Sequence, residues 1–266
     1  MKIFGVDFTS RPTPKKRITV ARGELRGGVL SISGVGSLDT FEKFEALLRE
    51  PGPWVGGFDF PFSMPREAVV DLKWPENWPD LMMHLRSLSR RELTAAFDGH
   101  REGRPMGNRY AHRRADLAAR SSSSMKCVNP PVAWMMHEGA PRLRAADVSI
   151  PVLRPSESDR VALEAYPALV ARMAIANASY KSDDTKKQTP ERKERRAKIV
   201  DFVTSENGLE VIVNASPAVR RDLVDDGAAD LLDAVLCAFQ AAIAARRPDF
   251  GIPNDADPLE GWIALA

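Results

Sequence analysis

Cysteine is scarce in this chain: Cys127 and Cys237 are the only two in 266 residues, and they form no CxxC pair. That excludes a disulfide framework, and without a regularly spaced Cys/His set it excludes a zinc finger too, so a reducing cytoplasm is the expected compartment. The four histidines, His84, His100, His112 and His137, fall at no metal-ligand spacing and are read as structural or solvated. Long apolar runs are also missing. No stretch approaches membrane-spanning length, and Met1 leads directly into a strand-like segment without the basic and apolar regions of a signal peptide. A soluble, non-exported protein with no membrane partner is expected. Charge of one sign is lacking as well: 38 basic against 36 acidic residues leave +2, so any affinity for a polyanion must come from local clustering.

What the chain does have is 44% apolar content, enough to bury a sizeable core. Ile3 to Phe8 reads as a buried strand that delivers Asp7 at its C-terminal end. Arg17 to Leu25 and Val29 to Ser33, joined by Arg26-Gly27-Gly28, read as a hairpin. Asp39 and Glu42 resemble a capping box opening a short helix that stops near Pro51. Trp54 to Phe60 is a fourth strand, ended by Pro61 and carrying Asp59. A helical crossover from the hairpin places this strand parallel to the first, so Asp7 and Asp59 are expected at one edge.

From Ser63 to Asp159 the pattern loosens into short helical pieces, including a Ser89-x-x-Glu92 capping box, and reads as a large insertion or subdomain. Val161 to Tyr166 is a fifth strand carrying Glu164. Thr189-Pro190 marks a helix start and Gly208 its stop. Asp230 to Ala245 is a helix apolar on nearly every side, hence buried, with Asp230 and Asp233 as its exceptions.

A carboxylate at the end of a buried strand is costly unless hydrogen-bonded, paired or bound to metal. Asp7 or Asp59 taken singly fits a turn cap as well as a ligand; the pair shifts the balance. Asp230 and Asp233 share a helix face, although Asp230 also fits a helix cap, and Glu164 a solvent-facing strand residue. Three or four such acids from separate elements supply the oxygens that two Mg2+ or Mn2+ ions require, one activating water and the other stabilising the leaving oxygen.

Two segments carry excess positive charge. Arg101 to Lys126 has seven basic residues against two acidic, Arg109, Arg113 and Arg114 among them, and Lys186 to Lys198 has the same balance, with Lys186 and Lys187 ahead of its helix. Both are candidates for gripping phosphates, the first more so because Gly, Asn and Ser accompany its arginines. The second also reads as a solvated helix face, since Glu191/Arg195 and Glu194/Lys198 are ordinary i,i+4 pairs. Trp134-Met135-Met136, Trp74 and Trp78 are read as local packing.

Five short motifs, Gly5-Val6-Asp7, Phe58-Asp59-Phe60-Pro61, Glu164-Ala165-Tyr166-Pro167, Asp230-x-x-Asp233-Ala234 and Glu260-Gly261-Trp262-Ile263, resemble the domain-of-unknown-function family 429. That family is regarded as predicted nucleases of the RNase H-like fold. The resemblance covers most of the chain, and Met64 to Asp159 match least. The Asp-x-x-Asp pair also resembles the metal-binding end of Holliday-junction resolvases. The resemblance implies an α/β fold with an RNase H-like mixed five-stranded sheet flanked by helices, in a single domain over 1–266 with a mostly helical insertion over about 63–160. It implies metal ligation by Asp7, Asp59 and Asp233, with Asp230 and Glu164 completing the catalytic group. The expected partner is nucleic acid or another phosphodiester polyanion. Two other readings stand beside it: a non-catalytic nucleic-acid adaptor on the same fold, and an actin-like ATPase using Gly5 to Ser10 as a phosphate-contacting hairpin, for which no second Gly-rich loop is present.

Overall fold

Two faces of one sheet follow from the period-2 alternation of its first strand. In the computed structural model, which describes residues 1–206 and 208–266, β1 (Lys2–Asp7) sends Phe4 and Val6 into one hydrophobic layer and Ile3 into another. Gly5 and Asp7 share the face of Ile3. β2 (Ile18–Arg26) and β3 (Val29–Leu38) form the expected hairpin, turning at Gly27 and Gly28, whose φ values of 54° and 85° require residues free of a Cβ clash.

Helix α1 (Phe41–Leu48) crosses to β4 (Trp54–Asp59), which pairs parallel to β1 with Asp7 directly opposite Asp59. The expected parallel placement is therefore observed. The cap of α1 differs from expectation: Thr40 accepts from Lys43 N at 3.3 Å, while Asp39 is bound in an ion pair to Lys43. Thr40 stands one residue closer to the apolar face, and its shorter side chain meets the free backbone amides.

Between β4 and β5 (Arg160–Glu164) lie α2 (Arg66–Asp71), α3 (Trp78–Ser87), α4 (Arg90–Glu102), α5 (Arg114–Ala119) and α6 (Val132–Ala145). The Ser89/Glu92 capping box is present at the start of α4. Trp78 is buried, donating its indole N–H to the Phe62 carbonyl at 2.8 Å, and Trp74 packs on His84 and Phe97. β5 pairs parallel to β4. Then follow α7 (Pro167–Ile175), α8 (Pro190–Thr204), β6 (Ile212–Asn214), α9 (Pro217–Asp225) and α10 (Asp230–Ala244). The helix opened by Thr189-Pro190 ends at Thr204, before Gly208.

The sheet has six strands in the order β5-β4-β1-β2-β3-β6, not five. The added strand is three residues long and pairs parallel to β3, from Val29/Ile212 to Ser31/Asn214. So short a segment shows no alternation of its own; its pairing with β3 alone makes it a strand. Among the described residues no single helix is long and apolar enough to cross a membrane.

Helix α10, buried from Leu232 to Ala244, lies across β1, β2 and β4. Its close approach depends on two glycines that face each other in register, Gly5 and Gly57. A Cβ on Gly5 would stand 1.9 Å from the Ala234 carbonyl oxygen, and one on Gly57 would stand 2.3 Å from that of Cys237. Both clashes are with main chain, which cannot rotate aside. We expect Gly5→Ala to destabilise the protein by roughly 3 kcal/mol or more through overpacking. Gly99→Ala, at an exposed α4 position with nothing within 4 Å, should instead stabilise by about 0.5–1 kcal/mol. Urea unfolding of the two variants checks both signs.

Candidate carboxylate centre

Each glycine that seats α10 precedes an aspartate by two residues, and period-2 alternation points both toward the helix. Gly5 and Asp7 on β1, and Gly57 and Asp59 on β4, therefore build one floor beneath the first turn of α10, from which Asp233 descends. On the opposite face the next residues, Phe8 and Phe60, pack with ring centroids 4.7 Å apart and hold the two strand ends together. Asp233 is wholly buried; Asp7 and Asp59 are partly exposed at the base of a cleft of roughly 470 Å3.

Burial, then Asp233, then Asp59 push the Asp7 carboxyl well above the usual carboxylate range. Burial first, with the charges of Asp233 and Glu164 adding to it and Lys181 opposing, takes Asp59 up to about 7. Among the described residues neither carboxylate accepts a hydrogen bond, whereas Asp233 has both oxygens engaged: Oδ1 accepts from the Tyr180 hydroxyl at 2.7 Å, and Oδ2 is bound by the Lys181 ammonium. Burial works against the charge of Lys181, but the carboxylates of Asp233, Asp7 and Asp59 outweigh it and hold the amine well above the usual lysine range.

Asp230 stands at the cleft rim, paired with Lys16 at 3.1 Å, and Lys16 also reaches Asp183 at 3.3 Å. It does not cap its helix. That place is taken by Asp226, which accepts from Leu231 N at 3.0 Å and Ala228 N at 3.2 Å.

Glu164 lies in a different setting from the three converging aspartates. It is buried and accepts two bonds from the Arg113 guanidinium, at 2.5 and 2.7 Å, and one from Phe62 N at 2.9 Å. Arg113, expected to contact substrate, is wholly buried and clasps Asp116 as well, at 2.8 Å. It has no surface to offer a ligand. Two more arginines of the first basic segment are matched by acids distant in sequence: Arg104 binds Glu67, and Arg114 pairs with Asp255 at 2.9 Å. Arg109 is exposed. Lys186 and Lys187 are exposed on the 3-10 turn Thr185–Lys187, where Lys187 lies 3.6 Å from Asp184.

Lys181, Tyr180 and Lys16 carry no mark in the sequence pattern that sets them apart as site residues. Lys181 belongs to neither basic segment, and an isolated lysine in a loop has no periodic signature. Lys16 sits in the short run Lys15-Lys16-Arg17 between β1 and β2, the one local signal for it.

Paired partly exposed carboxylates without hydrogen-bond donors suit a hard divalent cation, which takes oxygen ligands. Once ionised, three carboxylates facing one ammonium carry two uncompensated negative charges, so the donor chemistry fits Mg2+ or Mn2+. The arrangement is not closed around an ion: among the described residues no group of three or more His, Cys, Asp or Glu side chains is set to hold one. Lys181 and Tyr180 occupy Asp233, the third donor.

Compared with known families, residues 5–257 match the model described as "Protein of unknown function (DUF429)". No curated protein and no solved structure matches the chain.

Proposed function

This chain belongs to the DUF429 family, and from that premise and the cleft we propose that it is a metal-dependent phosphodiester hydrolase of the RNase H-like fold, acting on nucleic acid. The observation that carries the reading is the in-register meeting of Asp7 and Asp59 beneath Asp233, each from a separate element. The mixed sheet supports the fold part: two antiparallel pairings and three parallel ones, among them β1 with β4, put the first and fourth strand ends side by side.

Asp7, Asp59 and Asp233 would hold Mg2+ or Mn2+. When bound, the ion supplies an activated water and neutralises charge on the leaving oxygen. The protein's own groups do the rest. Lys16 and Lys181 line the cleft and draw a phosphate toward the carboxylates, while Pro131, Val132, Met135 and Tyr166 form an apolar wall suited to a base or sugar. Asp230, by pairing with Lys16, sets where that lysine stands. Glu164 and Arg113 act through the wall, fixing α5 and the Phe62 backbone. Exposed Arg109, Lys186 and Lys187 would meet a longer polyanion outside the cleft.

A second reading, a nucleic-acid binding module without turnover, is favoured by one observation: the third donor is already neutralised by Lys181 and Tyr180. Purified protein incubated with single-stranded, duplex and branched DNA and RNA separates the two. Cleavage that needs Mg2+ or Mn2+ and stops on chelation supports the hydrolase. Salt-sensitive binding with no cleavage of any substrate overturns it in favour of the binding module.

A further inference from the structure

The cation already present in the carboxylate centre belongs to the protein. The Lys181 ammonium binds Asp233 Oδ2, and the Tyr180 hydroxyl holds the other oxygen at 2.7 Å, so the two neighbouring side chains grip a carboxylate that is wholly buried. The backbone carrying them is fixed on both sides. Arg196 donates to the Tyr180 carbonyl at 2.8 Å, and Ser182 N donates to Gly227 O at 3.1 Å. Arg196 also binds Val224 O at 2.8 Å, tying this loop to the end of α9. Tyr180 and Lys181 are therefore positioned by the fold and not by chance contact. The Lys181 side chain is nevertheless 45% exposed, its stem running along the cleft. With the main chain held and the stem free, the ammonium can leave Asp233 by rotamer change alone, staying within the cleft on its four-carbon tether.

We propose that Lys181 is the resident counter-ion of the carboxylate centre, which a divalent cation displaces from Asp233, so that ion binding delivers the lysine ammonium to the cleft, where it meets the phosphate of the substrate. The inference rests on the metal-dependent reading of the cleft and deepens it. It makes Lys181 a competitor of the metal in the free protein and a phosphate-binding group in the loaded one. No covalent bond to carbon forms or breaks in the exchange; one cation replaces another, the amine keeps its proton, and any proton held by Asp7 or Asp59 passes to solvent as the ion binds. The open arrangement of donors follows from the same exchange, since Asp233 cannot complete a site while the ammonium holds it. Lys16 does not compete for Asp233, being paired instead with Asp230 and Asp183 at 3.1 and 3.3 Å.

The sign of one measurement tests this. Mn2+ binding is titrated calorimetrically, without substrate, on the wild-type protein and on Lys181→Met, Lys181→Gln and Asp7→Asn. Removing a competing charge a few ångströms from the ligands should tighten Mn2+ binding by roughly tenfold or more in both lysine variants. A lysine that merely props the loop would, when replaced, leave affinity unchanged or weaken it, and either result in a folded lysine variant overturns the inference. The glutamine variant covers the case in which methionine does not fold, because it keeps a polar group beside Asp233. Mn2+ binding by the wild type, lost in Asp7→Asn but equal in the lysine variants, rejects the exchange and leaves the metal-dependent reading standing. Absence of Mn2+ binding in every variant, or equal binding by Asp7→Asn, overturns both.

Discussion

Replacing Asp59 by asparagine is expected to lower metal-dependent cleavage by roughly 10³-fold or more, the several kcal/mol that a positioned divalent ion contributes to a developing oxyanion, while making the metal-free protein more stable. Two carboxylates side by side without donors repel each other in the folded state. Both have folded-state pKa values raised above the unfolded ones, Asp59 to about 7. A raised value means that the folded protein binds the proton more tightly. The resulting stabilisation is complete below the unfolded pKa and is lost as pH rises through the folded one. The metal-free wild type should therefore lose stability as pH rises from about 4 through about 7. Asp59→Asn should flatten that slope and gain on the order of 1–3 kcal/mol at pH 8, a figure reduced for the partial exposure of the group. Thermal unfolding across this range in the presence of chelator measures it. Added Mn2+ should raise the wild-type Tm at pH 8 and leave the variant unmoved. A variant less stable than wild type at pH 8 would mean that the carboxylates do not repel each other and would remove the electrostatic basis of the site.

The second large effect is expected at Arg113, through structure and not chemistry. Its guanidinium is wholly buried between Glu164 and Asp116, with five donor contacts to their carboxylates and to the Glu260 carbonyl, from 2.5 to 3.3 Å. Arg113→Met leaves two buried carboxylates uncompensated and should cost about 3–5 kcal/mol, a large part of the stability of an ordinary domain. Lysine should rescue poorly, because its single ammonium cannot reproduce the planar fork that serves both acids. Chemical denaturation of Arg113→Met, Glu164→Gln and the double variant provides the test. Coupling above roughly 1 kcal/mol between the two positions is expected for residues in one network. Additive effects would show that the ion pair does not anchor α5 to the sheet.

The contrast between these sites shows what can be read from residue order alone. Asp7 and Asp59 were legible as neighbours because the βββαβ order and right-handed crossover fix how β4 pairs with β1, and each acid ends its strand. The hairpin at Gly27-Gly28, the Ser89 cap and the span of α10 were legible for the same local reasons. Glu164 looked like a further member of the acidic set because its strand ends in the same way. What separates it is Arg113, 51 residues earlier in the chain, and a pairing over that distance leaves no periodic trace. The apparent positive excess around Arg113 fails for a related reason: its acids, Glu67, Glu164 and Asp255, lie outside the counted window. Strand β6 is too short to declare itself, and Lys181 is one residue in a loop whose importance comes only from what stands opposite.

The glycine pair beneath α10 also bears on how the protein can change over time. Because Gly5 and Gly57 let the main chain of α10 come into contact range of the strands, the height of Asp233 above the strand ends is set chiefly by main-chain contacts. Substitutions elsewhere in the two apolar layers can therefore accumulate without retuning the gap between the acids. The ruler is the peptide chain itself, and drift in the surrounding packing has no means of stretching it.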